Sequence, residues 1–195
     1  TDPLDRLTMA AMHAPPLEIS ESTVDDLRAI LKNAPGSLYA VLDACDEPRV
    51  PEKTSHLRDR AVSLYRGSAE RDFWAIAPYL VQIDEPVFDW IVGNLWGNPW
   101  GVFLVAPVDL ATLRKHLRRF LTVHDAEGRA MYFRFYDPRV LITFLSACDT
   151  TEVSQFFGPA ASFAITAEYP SVKVIGRRLR TPSPSRNPEA VWPGR

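Results

Sequence analysis

The fold is decided around Arg134-Phe135-Tyr136-Asp137-Pro138-Arg139-Val140-Leu141, because this stretch contains a strand end, a helix cap and a helix start. Residues 131–135 are rich in aromatics and alternate weakly between apolar and polar side chains, as strands do. Asp137 is a favourable N-cap, since its carboxylate can accept hydrogen bonds from the free N–H groups of a first helical turn. Pro138 suits the first helical position, where no N–H is needed. The stretch therefore predicts a strand, a tight turn and a helix, with Asp137 acting on backbone rather than on a substrate.

Outward from this stretch, the apolar periodicity predicts further helices and strands that alternate along the chain. The predicted helices cover residues 23–31, 57–66, 84–95, 109–121, 138–147 and 151–157, and the predicted strands cover 37–44, 79–83, 101–106, 122–125, 129–135, 162–168 and 172–180. Prolines predict a loop over residues 46–53. This order predicts an α/β (α+β) fold, a mixed β-sheet with flanking helices in a single compact domain.

The chain length and the distribution of proline predict three segments. A chain of 195 residues with 46% hydrophobic residues is enough for one domain with a substantial core. We expect residues 1–36 to form a loose arm, covering about the first twenty positions, and a short helix. Residues 37–180 are expected to form the α/β domain, and the proline-rich residues 181–195 a disordered tail.

Composition argues against several classes of protein. The formal net charge of −2 gives no general attraction for nucleic acid or an anionic membrane. No apolar run approaches the roughly 20 residues that span a bilayer, and no signal peptide is visible, so we expect a cytoplasmic protein without membrane insertion. Cys45 and Cys148 match no metal-ligand spacing. We expect two buried free thiols, although the sequence leaves a disulfide open.

Catalytic motifs are weak in this sequence. The histidines His13, His56, His116 and His124 have no metal-binding spacing, and no nucleotide-binding or hydrolase motif occurs. The carboxylates Asp43, Asp46 and Glu47 cluster after the first predicted strand, a usual place for ligands in an open α/β sheet. With no histidine beside them, a solvated loop is the favoured interpretation. We expect no catalytic residue, no metal and no cofactor.

Protein-binding candidates are more numerous than catalytic ones. Trp96 lies on a turn broken by glycine and proline, where an aromatic side chain can anchor a partner. Arg114, Lys115 and Arg118 lie opposite the apolar stripe of the helix predicted from Asp109, and are either a solvated face or a contact for an acidic partner. The predicted partner-binding residues are Trp96, Arg114, Lys115, Arg118, Asp46 and Glu47.

Six motifs in a fixed order resemble a known family. They are Leu38-Tyr39-Ala40-Val41-Leu42-Asp43-Ala44, Ala77-Pro78-Tyr79-Leu80-Val81, Trp100-Gly101-Val102-Phe103-Leu104, Leu113-Arg114-Lys115-His116-Leu117-Arg118-Arg119-Phe120-Leu121, Phe133-Arg134-Phe135-Tyr136-Asp137-Pro138-Arg139-Val140-Leu141 and Phe156-Phe157-Gly158-Pro159. Together they resemble the bacterial type VI secretion effector-chaperone (adaptor) family, long catalogued only as a domain of unknown function. The resemblance covers about residues 37–168.

The resemblance implies a cytoplasmic, non-enzymatic bacterial protein that binds a toxic effector and helps load it onto the spike-tip protein of the secretion apparatus. It supplies no catalytic residues. Many members carry a further helical lobe, whereas this chain has only the proline-rich segment after about residue 180. Two alternatives stay open: a small hydrolase using Asp43, Asp46 or Glu47 with a distant histidine, and an immunity or inhibitor protein.

Overall fold

A computed structural model describes residues 17–34, 36–124 and 127–177. Strands occupy Leu17–Thr23 (β1), Leu38–Asp43 (β2), Ala61–Ser63 (β3), Pro78–Gln82 (β4), Gly101–Val105 (β5), Thr122–His124 (β6), Ala130–Tyr132 (β7), Ser162–Thr166 (β8) and Ser171–Arg177 (β9). Helices occupy Val24–Asn33 (α1), Arg49–Ser55 (α2), Gly67–Asp72 (α3), Glu85–Asn94 (α4), Leu110–Leu117 (α5), Pro138–Ala147 (α6) and Thr150–Phe157 (α7). Short 3₁₀ turns cover residues 58–60, 74–76 and 118–120. The expected arm before residue 17 and the tail from 181 onward lie outside the described residues.

Seven strands form one sheet in the order β1-β9-β8-β5-β2-β4-β3, and β6 pairs with β7 in a separate hairpin. The predicted α/β class in a single compact domain is confirmed. The predicted mixture of strand directions is not present, because every pairing among the described strands is antiparallel. Antiparallel neighbours need no crossover helix between them, so the sequence alternation of helices and strands does not fix strand direction.

Helices cover both faces of the sheet, and each face has its own apolar core. On one face, α5, α6 and α7 pack on Tyr39 and Val41 of β2. On the other face, α1, α2 and α4 pack on Leu38, Ala40 and Leu42. The alternation predicted for this strand is therefore confirmed, and β2 is buried along its whole length. The sheet forms the middle layer of three.

Side-chain caps define where the helices begin. Thr23 forms a capping box with Asp26 at α1, and Asp84 and Asp109 accept hydrogen bonds from the first turns of α4 and α5. Asp137 accepts from the backbone N–H of Arg139 at 2.9 Å, which confirms its predicted role as the cap of α6. These caps lie at or next to the starts predicted for the helices over residues 23–31, 84–95, 109–121 and 138–147.

Four elements differ from the prediction. Residues 17–20, expected in the arm, begin strand β1, and α2 occupies most of the predicted proline loop. The predicted helix over 57–66 is a 3₁₀ turn followed by β3, and α3 follows it. Strand β1 has only one buried residue and the other three elements are short, so tertiary contacts rather than local preference decide their conformations.

Gly101 lets strand β5 approach strand β2 closely. Its φ is +145°, and a Cβ atom built there would lie 1.9 Å from the carbonyl oxygen of Val41. Only glycine tolerates both the backbone conformation and the contact. The two central strands of the sheet therefore depend on this one residue for their spacing.

Replacing Asp137 with alanine is expected to lower the free energy of unfolding by about 1 kcal/mol, the usual value of an N-cap. The hydrogen bond from Arg139 holds the pKa of Asp137 below its usual 3.8. A carboxyl with a lowered folded-state pKa stabilises the fold above its unfolded-state pKa, and this contribution is lost as the pH falls through the folded value. The difference in free energy of unfolding between the wild type and Asp137→Ala should therefore be largest near neutral pH and become smaller below about pH 4. Urea unfolding across this pH range measures it.

Asp137→Asn is the matched control for the cap, because the amide retains a hydrogen-bond acceptor but no charge. We expect Asp137→Asn to lose less stability than Asp137→Ala. Like Asp137→Ala, it should depend less on pH in its stability than the wild type does, because neither variant has the carboxylate. Equal losses for alanine and asparagine would contradict the capping role. A large loss of affinity for a binding partner at unchanged stability would place Asp137 in a contact surface instead.

Candidate functional site

The carboxylates after strand β2 surround one arginine. Arg134, in the turn before α6, donates from Nη2 to Asp46 Oδ2 at 2.7 Å and also forms an ion pair with Asp43. Asp43 is completely buried and accepts a further hydrogen bond from the backbone N–H of Cys45 at 3.0 Å. We call these three side chains, Asp43, Asp46 and Arg134, the Arg134 cluster. It ties the turn before α6 to the end of β2.

Burial and charge act in opposite directions on the Arg134 cluster. Burial raises the pKa of Asp43 above its usual value, although the contact with Arg134 opposes this. Burial alone would lower the pKa of Arg134, but the hydrogen bonds and charges of Asp43 and Asp46 outweigh burial and raise it. Arg134 therefore stays charged at any physiological pH, and its charge is matched by carboxylates of the same cluster.

Two tyrosines lie beside the Arg134 cluster. Tyr136 is buried and Tyr65 is partly buried, and each hydroxyl influences the pKa of the other. Burial is the largest influence on both hydroxyls and raises their pKa values, and the negative charge of Asp43 adds to the effect. Both phenols are therefore neutral, and neither is activated as a base.

The described histidine side chains do not join the carboxylates. His116 is buried, with Nε2 at 2.7 Å from the carbonyl oxygen of Phe156 and Nδ1 at 2.7 Å from Nη2 of Arg119. Because the carbonyl can only accept and the guanidinium can only donate, Nε2 carries the proton. Burial lowers the pKa of His116, so the ring is neutral. His56 is exposed at the end of α2, His124 ends β6, and His13 lies outside the described residues.

Glu47 belongs to a separate ion pair. Its carboxylate accepts from Nε and Nη2 of Arg49, each at 2.6 Å, and Nη2 also donates to the carbonyl oxygen of Asn94 at 3.0 Å. The hydrogen bonds from Arg49 lower the pKa of Glu47. The predicted trio of carboxylates is thus divided between two arginines, an arrangement that gives the hydrolase interpretation no support.

The basic residues predicted on the helix from Asp109 have different surroundings, and Arg118 lies in the 3₁₀ turn that follows α5. Arg114 donates from Nε to the carbonyl oxygen of Ser63 at 2.8 Å, which fastens α5 to strand β3. Arg118 is partly buried, whereas Lys115 is exposed. Of the predicted contact residues on this helix, Arg114 thus also has a structural role.

Trp96 packs against the sheet more than it faces solvent. Its indole N–H donates to the carbonyl oxygen of Ala167 at 3.0 Å, and its ring lies 5.6 Å from that of Tyr169 in an edge-to-face arrangement. The residue therefore joins the turn after α4 to the turn between β8 and β9. Tyr169, which is exposed, extends this aromatic surface into solvent.

A cluster of exposed apolar side chains follows α3. Phe73 is 50% exposed, Trp74 is 56% exposed and Ile76 is 47% exposed. Among the described residues, no other four-residue stretch contains three large hydrophobic side chains that are exposed. We call these three residues the Trp74 cluster. Sequence reasoning missed it, although the adjacent aromatics Phe73 and Trp74 were a signal, since neighbouring side chains cannot share one buried helical face.

Neither a metal site nor a membrane-spanning helix is found in the described ranges. No group of histidine, cysteine and acidic side chains there has the arrangement of a metal site. No helix of the described chain has the length and apolarity needed to cross a membrane. Cys45 and Cys148 are both free, with Cys148 buried as expected and Cys45 exposed, contrary to expectation.

The fold and these surfaces define a three-layer α/β domain whose clustered charges form internal ion pairs and whose most prominent surface feature is apolar. The profile of the family described as "Domain of unknown function (DUF4123)" matches residues 38–155, and the chain belongs to that family. A comparison with curated proteins found no match, and neither did a comparison with solved structures.

Proposed function

We propose that this protein is a cytoplasmic bacterial chaperone or adaptor that binds a type VI secretion effector and assists its loading onto the spike-tip protein. The six ordered motifs resemble the effector-chaperone family, and membership in a family described as a domain of unknown function agrees with that resemblance. The proposal assigns the protein a binding role rather than a catalytic one.

The observation that carries the proposal is the exposed Trp74 cluster. Leaving three large apolar side chains in water is unfavourable, by about 25 cal/mol for each Å² of apolar surface that burial would remove from water. Exposed apolar patches mark protein interaction sites, and these three exposed side chains lie within four consecutive residues. A partner that covers the cluster would remove this unfavourable exposure.

The ion pairs add support of a different kind. Asp43, Asp46 and Glu47 bind arginines of the same chain, and the neutral His116 is held by Phe156 and Arg119. These side chains stabilise the fold and are not arranged as a nucleophile with its base. The residues most suited to acid–base chemistry are thus bound to other residues of the same chain.

Co-expression tests the proposed function. The tagged protein is expressed with the product of each neighbouring gene, and we expect one product to co-purify in a stable complex and to become more soluble. An unrelated protein with the same tag serves as control. Failure to retain any neighbour-encoded product would contradict the proposal. Rescue of cells from a toxic product without any effect on its secretion would favour the immunity alternative.

A further inference from the structure

The imidazole ring of His116 joins the end of helix α5 to the end of helix α7. His116 lies in the last turn of α5, and its Nε2 donates to the carbonyl oxygen of Phe156, in the last turn of α7, at 2.7 Å. The ring also lies against Gly158, the C-cap of α7, where an added Cβ atom would be 2.1 Å from Cε1 of His116. The backbone at the end of α7 therefore holds the ring in place.

The other ring nitrogen of His116 faces a cation. Arg119, in the 3₁₀ turn after α5, donates from Nη2 to Nδ1 of His116 at 2.7 Å. Because a guanidinium has only N–H donors, this contact requires an Nδ1 that carries no proton. A second proton on the ring would place one donor against another at this distance and a positive ring beside a positive guanidinium.

The surroundings of His116 do not compensate a positive ring. His116 is 7% exposed, and the ring of Phe120 lies 5.2 Å from the imidazole ring. Burial lowers the pKa of His116, and the positive charge of Arg119 lowers it further. The other charged side chains of α5, the 3₁₀ turn and α7, with the two helix caps, do not add to this effect, and they are Asp109, Arg114, Lys115, Arg118, Asp149 and Glu152. A proton on Nδ1 would therefore create a buried cation without a carboxylate beside it.

We propose that His116 is an acid-sensitive switch, in which protonation of Nδ1 displaces Arg119 and separates the end of α7 from the end of α5. Arg119 can leave because its side chain is exposed, whereas the ring is held between Phe156 and Gly158. Water can reach the protonated ring only when this contact opens, since a buried and unpaired charge is strongly unfavourable. The switch is a property of the chain itself and does not depend on which partner the protein binds.

The direction of the pH effect follows from the two states of the ring. In the open state the ring is in water and has the ordinary histidine pKa of 6.5, whereas in the closed state its pKa is lower. The open state therefore binds more protons below pH 6.5, and the closed state is progressively lost as the pH falls toward its own pKa. Within this interval the equilibrium constant for opening should increase by about ten-fold for each pH unit.

Amide hydrogen exchange, followed residue by residue between about pH 7 and about pH 5, measures this opening. The N–H of Gly158 donates to the carbonyl oxygen of Ser154 at 3.1 Å and that of Ala160 to the carbonyl oxygen of Phe157 at 2.8 Å, so these two amides report on the end of α7. Their protection factors should fall by about ten-fold for each pH unit below 6.5, whereas those of strand β2 should not decrease. A local measurement is needed because the raised pKa of Asp43 changes global stability in the opposite direction.

Three variants separate the switch from a purely structural role of His116. His116→Gln keeps an N–H donor for Phe156 but cannot titrate, so exchange at the end of α7 should no longer depend on pH beyond its intrinsic rate. Arg119→Ala keeps the ring and removes the opposing cation, so the pKa of His116, read from the NMR signals of the ring, should rise and exchange should depend less on pH. His56→Gln is the matched control, because His56 is exposed at the end of α2, and it should exchange as the wild type does.

Two results would overturn the inference. One is a wild type in which the protection of the α7 end does not fall below pH 6.5, and the other is His116→Gln that retains the pH dependence of the wild type. If His116→Gln does not fold, an unchanged pKa of His116 in Arg119→Ala overturns the inference in its place. None of these results affects the proposed function, which is tested separately by the capture of a neighbour-encoded protein.

Discussion

Replacing Gly101 with alanine is expected to lower the free energy of unfolding by about 4 kcal/mol, because backbone strain and overpacking each contribute roughly 1 to 3 kcal/mol. The added Cβ would meet the carbonyl oxygen of Val41 at 1.9 Å, and this oxygen belongs to the backbone of the central strand β2. A backbone atom in the middle of a sheet cannot move aside without disturbing its neighbours on both sides. Urea unfolding of the purified variant, followed by tryptophan fluorescence, measures the loss.

Gly93→Ala is the matched control for Gly101→Ala. Gly93 lies near the end of α4, and a Cβ atom built there would have no neighbour within 4 Å. Alanine is favoured over glycine in helices by up to about 1 kcal/mol, so this variant should be slightly stabilised. A loss of less than about 1 kcal/mol for Gly101→Ala would contradict the close approach of β5 to β2.

The second large effect is expected at the Arg134 cluster. Arg134→Leu should lower the free energy of unfolding by about 3 kcal/mol, the low end of the range for removing one partner of a buried ion pair. The low end applies because the Arg134 side chain is 36% exposed, whereas Asp43 is completely buried. Leucine leaves Asp43 without a compensating charge. Chemical unfolding near neutral pH measures the loss.

Lowering the pH should recover part of the stability that Arg134→Leu loses relative to the wild type. A carboxyl whose folded-state pKa is raised binds its proton more tightly when folded, so for this group stability increases as the pH falls. Burial raises the pKa of Asp43 even with Arg134 present, and removing Arg134 should raise it further. The difference in free energy of unfolding between Arg134→Leu and the wild type should therefore become smaller as the pH falls.

Asp43→Asn and Arg129→Leu complete the test of this ion pair. The double variant Asp43→Asn/Arg134→Leu should be more stable than the sum of its single variants implies, since it leaves no buried charge unpaired. Arg129 is 75% exposed in its ion pair with Glu127, so Arg129→Leu should change stability little. Strictly additive losses would show that Arg134 and Asp43 do not act as a pair.

Local signals were sufficient for much of the fold. The caps at Thr23, Asp84, Asp109 and Asp137 place helix starts because their action depends only on the adjacent turn. Strand β1 could not be found in this way, since only Leu17 of its residues is buried and its pairing with β9 joins distant parts of the chain. Pro51 suggested a loop, but proline is tolerated in a first helical turn, where its missing N–H is not needed.

The candidate sites were harder to predict because they depend on contacts between residues that are distant in sequence. Asp43 and Arg134 are 91 positions apart in sequence, so only the assembled fold brings them together. Arg114 was predicted as a possible contact with a partner, but the edge position of β3 gives its guanidinium a carbonyl oxygen to bind. The exposure of the Trp74 side chain depends on which other parts of the fold cover it. No local pattern reports that, because exposure is a property of the whole fold.

The pairing of β1 with β9 limits the order in which the domain can form during synthesis. Leu17 lies opposite Arg177 in the register, and β1 pairs with no other described strand. The ribosome therefore releases β1 long before its only described partner. The central strands can associate while synthesis continues, whereas β1 lacks its described partner strand until β9 emerges. Closure of this edge of the sheet is thus expected to be a late step of folding.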